Sequence, residues 1–187
     1  QYLPREVDGE LDVAIADALE ESGRWIVIAV GSSKVGKSRA LFEALCRRGD
    51  HAGIRFVAPV DYDALEMLLS PGELPELGRT GNVLWLDDLE PFVNQGMTAQ
   101  TLERWHERFG PCVVAGTYGG KGNTLIASSA GGDLGTIASE IRQRAREVHL
   151  GATSESEIDP LRASLPKDAL ASIERHGLAA YLVAGPE

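Results

Sequence analysis

The sequence predicts an α/β fold of three layers, with helices on both faces of a five-stranded, mostly parallel sheet and a short helical appendage at the C-terminal end. Three observations lead there. Short apolar runs alternate with amphipathic helical segments, the pattern of a parallel sheet with crossover helices. A loop rich in glycine and lysine, Gly31-Ser32-Ser33-Lys34-Val35-Gly36-Lys37-Ser38, joins the first apolar run to a helix. A later apolar run, Val83-Leu84-Trp85-Leu86, ends in the paired acids Asp87-Asp88, as a buried strand does when its C-terminal tip reaches a site.

Each element has its own signal. Leu11, Ile15, Ala18 and Leu19 make one helical face, with Asp12, Asp17 and Glu20 outside and Gly23 as the stop. Residues 25–30 form the first strand. A second helix opens at Lys37, buries Leu41, Phe42, Leu45 and Cys46, and stops at Gly49. Residues 54–57 form strand two, 62–69 a short helix, 71–81 a loop and 82–86 strand three. Thr98 caps a helix that runs to about Phe109, and residues 112–115 form strand four. Seven glycines between Gly116 and Gly135 predict a loop that is mobile or lies close to a ligand. Residues 134–145 read as a helix, 147–150 as strand five, and 154–184 as a helical appendage broken near Pro166 and Gly177.

The 187 residues suffice for one compact core without staples. We expect a core over residues 1–152 and the start of a helical lid over 153–187. The chain opens on Gln1 with no basic-then-apolar leader and ends inside a helical region, so it reads as part of a larger polypeptide. A formal charge of −10 argues against a surface that neutralises nucleic-acid phosphates, and no membrane span is visible. Cys46 and Cys112 sit at apolar positions and read as small buried hydrophobes in a reduced, cytoplasmic setting. His51, His106, His149 and His176 lack metal-ligand spacing, so no metal beyond Mg²⁺ is expected.

The glycine-lysine loop fits the pattern G-x-x-x-x-G-K-[ST], which cradles phosphates. Backbone N–H groups of Gly31, Ser32, Ser33, Lys34, Val35 and Gly36 wrap the phosphates, Lys37 reaches the β and γ oxygens, and Ser38 ligates Mg²⁺. Arg39 follows in the first turn, where the helix dipole favours anions. The bland alternative is a glycine turn with an exposed lysine. Asp87 then reads as the acid that holds Mg²⁺ through water, and Asp88 as the general base that polarises the attacking water, with Glu90 as a second candidate. A strand that ends in an acidic turn is the alternative there.

With an intervening strand between it and the phosphate loop, Asp87-Asp88-Leu89-Glu90 resembles the Walker B region of AAA+ and STAND nucleotide-binding modules, the group that holds NB-ARC and NACHT domains. The resemblance implies a P-loop NTPase fold with strand order 5-1-4-3-2. Tyr2-Leu3-Pro4-Arg5-Glu6, followed by Glu10-Leu11, is similar to the upstream adenine-contact motif, which assigns Leu3, Pro4 and Arg5 to the nucleotide, with Pro4 in place of the usual glycine. Thr117, just past strand four, falls at the sensor 1 position. Arg142, Arg144 and Arg146 precede strand five, where the family carries an arginine finger that acts on a neighbouring subunit, and Arg144 is our choice among them. Plain helix-end cations would look the same. Residues 146–150 and Ser154-Glu155-Ser156-Glu157 resemble the last strand and the start of the lid, and Gly177-Leu178-Ala179 echoes a lid motif without its proline.

The resemblance implies a module that binds ATP or ADP with Mg²⁺, hydrolyses slowly and signals to other domains of its own polypeptide, with a nucleotide-dependent homo-oligomer as a further partner. A GTPase would need an Asn-Lys-x-Asp motif, which no suitable position supplies. A small-molecule kinase, and a module that binds without hydrolysing, stay open, the latter because Asp88 is shorter than the usual Glu.

Overall fold

The computed structural model describes residues 5–20, 24–49, 53–72, 81–110, 112–119, 139–152, 154–162 and 165–176. In chain order these form α1 (Asp8–Leu19), β1 (Ile26–Gly31), α2 (Lys37–Gly49), β2 (Arg55–Val57), α3 (Tyr62–Leu69) and β3 (Asn82–Leu86). Then come α4 (Leu89–Asn94), α5 (Ala99–Phe109) and β4 (Cys112–Gly119). Helical residues 139–144, here α6, run straight into β5 (Ala145–His149), and α7 (Glu155–Arg162) and α8 (Lys167–His176) follow. The strands make one sheet in the order β2-β3-β4-β1-β5, parallel at every pairing, which is the predicted order read from the other edge.

Strand side chains alternate between faces, so each central strand feeds two cores. Ile26, Ile28 and Val30 of β1 join Leu84, Leu86 and Val114 beneath Leu65, Phe92, Leu102 and Trp105 of α3, α4 and α5. Val27 and Ala29 face the other way and join Val83, Val113, Ala115 and Val148 against Leu11 and Ile15 of α1 and Leu41 and Leu45 of α2. All six β1 residues are buried, as a central parallel strand covered on both faces requires. Asp61 caps α3 by accepting from the Ala64 N–H at 2.8 Å, and Thr98 caps α5 in a reciprocal box with Thr101. Helices α7 and α8 share a small apolar contact of their own, Ile158 and Ile173 with Leu165 and Leu170.

Several features differ from expectation. Strand β4 continues to Gly119 instead of ending at Ala115, pairing Gly116 with Ile28 and Gly119 with Gly31. Its glycines are packing glycines: a Cβ on Gly116 would lie 3.0 Å from the Leu89 side chain, and one on Gly119 would lie 3.1 Å from Glu90 Oε1. Thr117 is therefore inside the strand. Strand β5 opens at Ala145, because pairing with β1 starts at Ile26↔Ala145, so Arg146 is in the strand and does not precede it. Helix α4 was not anticipated, since six residues are too few to show a helical period. Cys112 is buried as expected, whereas Cys46 is half-buried. Gly23, most of the glycine-rich stretch and everything past His176 lie outside the described residues.

Candidate functional site

Sheet order places the loop after β1 beside the tips of β3 and β4. The loop turns through Lys34 at φ +65° and Gly36 at φ +88°. Its first glycine is fixed by a close approach: a Cβ on Gly31 would stand 2.5 Å from the Leu150 carbonyl oxygen and 2.9 Å from Val35 Cγ2. Leu150 is held there because its N–H donates to the Val30 carbonyl at 2.7 Å. Ser32, Ser33 and Lys34 are exposed, while Lys37, the first residue of α2, is only 8% exposed. Lys37 Nζ donates to the Ser32 carbonyl at 3.1 Å, so the ammonium bridges the loop from within.

Asp87 meets the end of this loop through a hydroxyl group. Ser38 Oγ donates to Asp87 Oδ1 at 2.7 Å, and Thr117 Oγ1 donates to the same oxygen at 2.8 Å. Thr117 also accepts the Asp88 N–H at 2.9 Å and is wholly buried. Along β4 it shares its face with Val113 and Ala115, the face that packs on α2. Three elements thus converge on one carboxylate: α2, the β3 tip and β4. A hydroxyl and a carboxylate side by side are hard oxygen donors of the kind Mg²⁺ takes, so these residues fit that ion.

The two base candidates have different surroundings. Asp88 is exposed, holds φ +55°, and makes no capping bond although it stands at the N-cap of α4. A non-glycine residue in that region is strained, and its carboxylate is left to the solvent side of the site. Glu90 is engaged: Oε1 accepts the Gly119 N–H at 2.8 Å, and Oε2 is buried without a hydrogen-bond partner among the described residues.

Of the remaining expected site residues, Leu3 and Pro4 lie outside the described residues. Arg5 sits against the loop, its Nη1 donating to the Val35 carbonyl at 2.7 Å. Arg39 is ion-paired to Glu43 one turn along α2. The arginines around β5 are all paired within the chain: Arg142 with Glu147, Arg144 with Glu103 of α5 at 3.1 Å, and Arg146 with Asp17 of α1. The Arg142 guanidinium holds the Glu147 carboxyl below its ordinary value, against the effect of burial.

Sequence reasoning missed Glu157, whose signal was the spacing Ser154-x-x-Glu157 at a helix start. Glu157 Oε2 accepts the Ser154 N–H at 2.8 Å and Ser154 Oγ accepts the Glu157 N–H at 3.3 Å, a complete capping box for α7. Burial works against its charge. The N–H groups of Ser154 and Glu6, with the Arg5 guanidinium, outweigh burial and lower its pKa.

A parallel sheet in this order, a phosphate-loop sequence between its β1 and α2, and an acidic tip on β3 make a P-loop NTPase fold. No protein-family model matches the chain, and no curated protein matches it. Among solved structures the chain is similar to Cdc6p from Pyrobaculum aerophilum, at 15% identity and TM-score 0.48 over 86% of this chain and 50% of that one. It is similar to the DnaC helicase loader at 18% identity and TM-score 0.47, covering 80% of this chain and 94% of that one. For PCH-2 of C. elegans the identity is 12% and the TM-score 0.48, over 92% of this chain and 47% of that one. The chain spans about half the length of the Cdc6p and PCH-2 chains.

Proposed function

We propose that this chain is a Mg²⁺-dependent ATP-binding and slowly hydrolysing switch module of the STAND type, working within a larger cytoplasmic signalling protein. One observation carries the reading: Ser38 and Thr117 both donate to Asp87 Oδ1, at 2.7 and 2.8 Å. In this reading one chain of hydrogen bonds would join the phosphate loop, the metal-holding acid and a polar sensor. Ser38 and Asp87 would hold the ion, which when bound would supply neutralisation of phosphate charge. Lys37 leaves the Ser32 carbonyl for the phosphate oxygens, and Asp88 accepts a proton from the attacking water. Thr117 passes any movement of Asp87 to the Asp88 backbone, which couples the γ-phosphate position to the base.

In this reading residues 1–152 are the nucleotide core and residues 153–187 begin a lid, and the ordered state of α7 and α8 reports the nucleotide to other domains. A nucleotide-dependent homo-oligomer would have to release Arg144 from Glu103 before it could act as a finger. The non-hydrolysing alternative rests on Asp88 being one methylene shorter than a glutamate. Mass analysis of nucleotide carried through purification, followed by turnover assays with ATP and GTP, tests the reading. Retained ADP with slow ATP turnover supports it. Phosphoryl transfer to a small-molecule acceptor would replace it with a kinase.

A further inference from the structure

We propose that Glu157 is a positioning residue of the phosphate loop, acting through Arg5 on the Val35 carbonyl, so that nucleotide in the loop and docking of α7 strengthen each other. The inference rests on the reading of that loop as an ATP site. Arg5 joins three segments: Nη1 donates to the Val35 carbonyl at 2.7 Å, Nη2 to the Gly151 carbonyl at 3.2 Å, and Nε to Glu157 Oε1 at 3.3 Å. Glu157 joins two more bonds at its other approaches, accepting the Glu6 N–H at 3.0 Å and the Ser154 N–H at 2.8 Å. The side chains of Arg5 and Glu157 are 11% and 8% exposed, so water screens this pair far less than it screens the surface pairs.

The Val35 carbonyl matters because it belongs to the same planar trans peptide as the Gly36 N–H, and the two point in opposite directions. By holding the carbonyl, Arg5 turns the Gly36 N–H away from itself and into the loop, where a phosphate oxygen would accept it. Arg5 needs Glu157 to stay. Without that carboxylate a nearly buried guanidinium has no charge partner among the described residues, and it relaxes towards water and away from Val35. Glu157 in turn is fixed by the capping box of α7, so the helix start and the loop are ends of one polar connection. Coupling of this kind is reciprocal: what α7 docking gives to nucleotide affinity, nucleotide gives back to docking.

The test uses the full chain and ATP·Mg²⁺ as the probe. Calorimetric affinities are compared for the parent, Glu157→Gln, Arg5→Ala and the double variant, and amide hydrogen exchange at Glu6 and Ser154 is followed in the parent with and without nucleotide. Glu157→Gln should weaken ATP·Mg²⁺ about 5-fold or more, and should add little once Arg5 is already alanine. Saturating nucleotide should slow exchange at both amides by a comparable factor. A Glu157→Gln protein that melts earlier but binds ATP·Mg²⁺ as the parent does would show a merely structural role and overturn the inference. Exchange at Glu6 and Ser154 that ignores nucleotide overturns it too, whether or not the variants fold. A parent that binds no ATP·Mg²⁺ removes the ATP reading and this inference together, whereas a parent that binds alongside an unaffected variant removes only the connection.

Discussion

Ser38 donates its hydroxyl proton to Asp87 Oδ1 at 2.7 Å across 49 positions of sequence, which brings the start of α2 onto the tip of β3. The contact is possible because β3 and β1 flank β4 in a parallel sheet, with their C-terminal ends on one edge. Loops at that edge of an open α/β sheet are where ligands bind.

Thr117 is the third member of this contact and has no slack. It is wholly buried, donates to Asp87 and accepts from the Asp88 N–H. Thr117→Val keeps the volume but leaves that N–H unpaired, and should cost about 1–2 kcal/mol of stability. Thr117→Ser should recover most of it. Chemical denaturation of both variants checks this, and the valine protein should also hydrolyse ATP more slowly, since its acids are no longer held in register.

Asp88 and Glu90 are expected to separate cleanly. Asp88 is exposed and its side chain does not cap α4, so Asp88→Asn should leave ATP·Mg²⁺ affinity within about 3-fold of the parent and lower turnover by about 100-fold or more, the usual range for a lost general base. Glu90 ties the end of β4 to α4 through the Gly119 N–H, so Glu90→Gln should lower the melting temperature and affect turnover less. Parent-level hydrolysis by Asp88→Asn, with none by Glu90→Gln, would reverse the two assignments.

Much of this was legible in the sequence, and the failures have physical causes. The apolar strand before the loop, the helix after it and the strand that ends at Asp87 are local signals, so their places were legible at once. The full length of β4 was hidden because Gly116 and Gly119 look like loop residues until Leu89 and Glu90 are seen packed against them. A glycine chosen for close approach and one chosen for a turn are the same letter. Arg5 was singled out, but its side chain turned out to be committed to the Val35 carbonyl and Glu157, a contact spanning 152 positions that no local pattern encodes.

Acid should reveal the Glu157 connection. Its folded pKa lies below the ordinary value of 4.5, so the stability it contributes is fully present above that pH and is lost as pH falls through the lower folded value. The melting temperatures of the parent and Glu157→Gln should therefore differ most above pH 4.5 and converge below it. A gap that stays constant into strong acid would mean that the Glu157 charge contributes nothing.

In the proposed reading Gly31 to Ser38 cradle the phosphates of ATP, with Mg²⁺ held by Ser38 and Asp87. Calorimetric titration of ATP into the parent and the Lys37→Ala variant, with Mg²⁺ and with a chelator, tests it most directly. The parent should bind more tightly with Mg²⁺ than without, and Lys37→Ala, which loses a charge-assisted contact from a nearly buried ammonium, should bind about 10- to 100-fold more weakly. Equal affinity in a folded Lys37→Ala protein, or no dependence on Mg²⁺, would contradict the account.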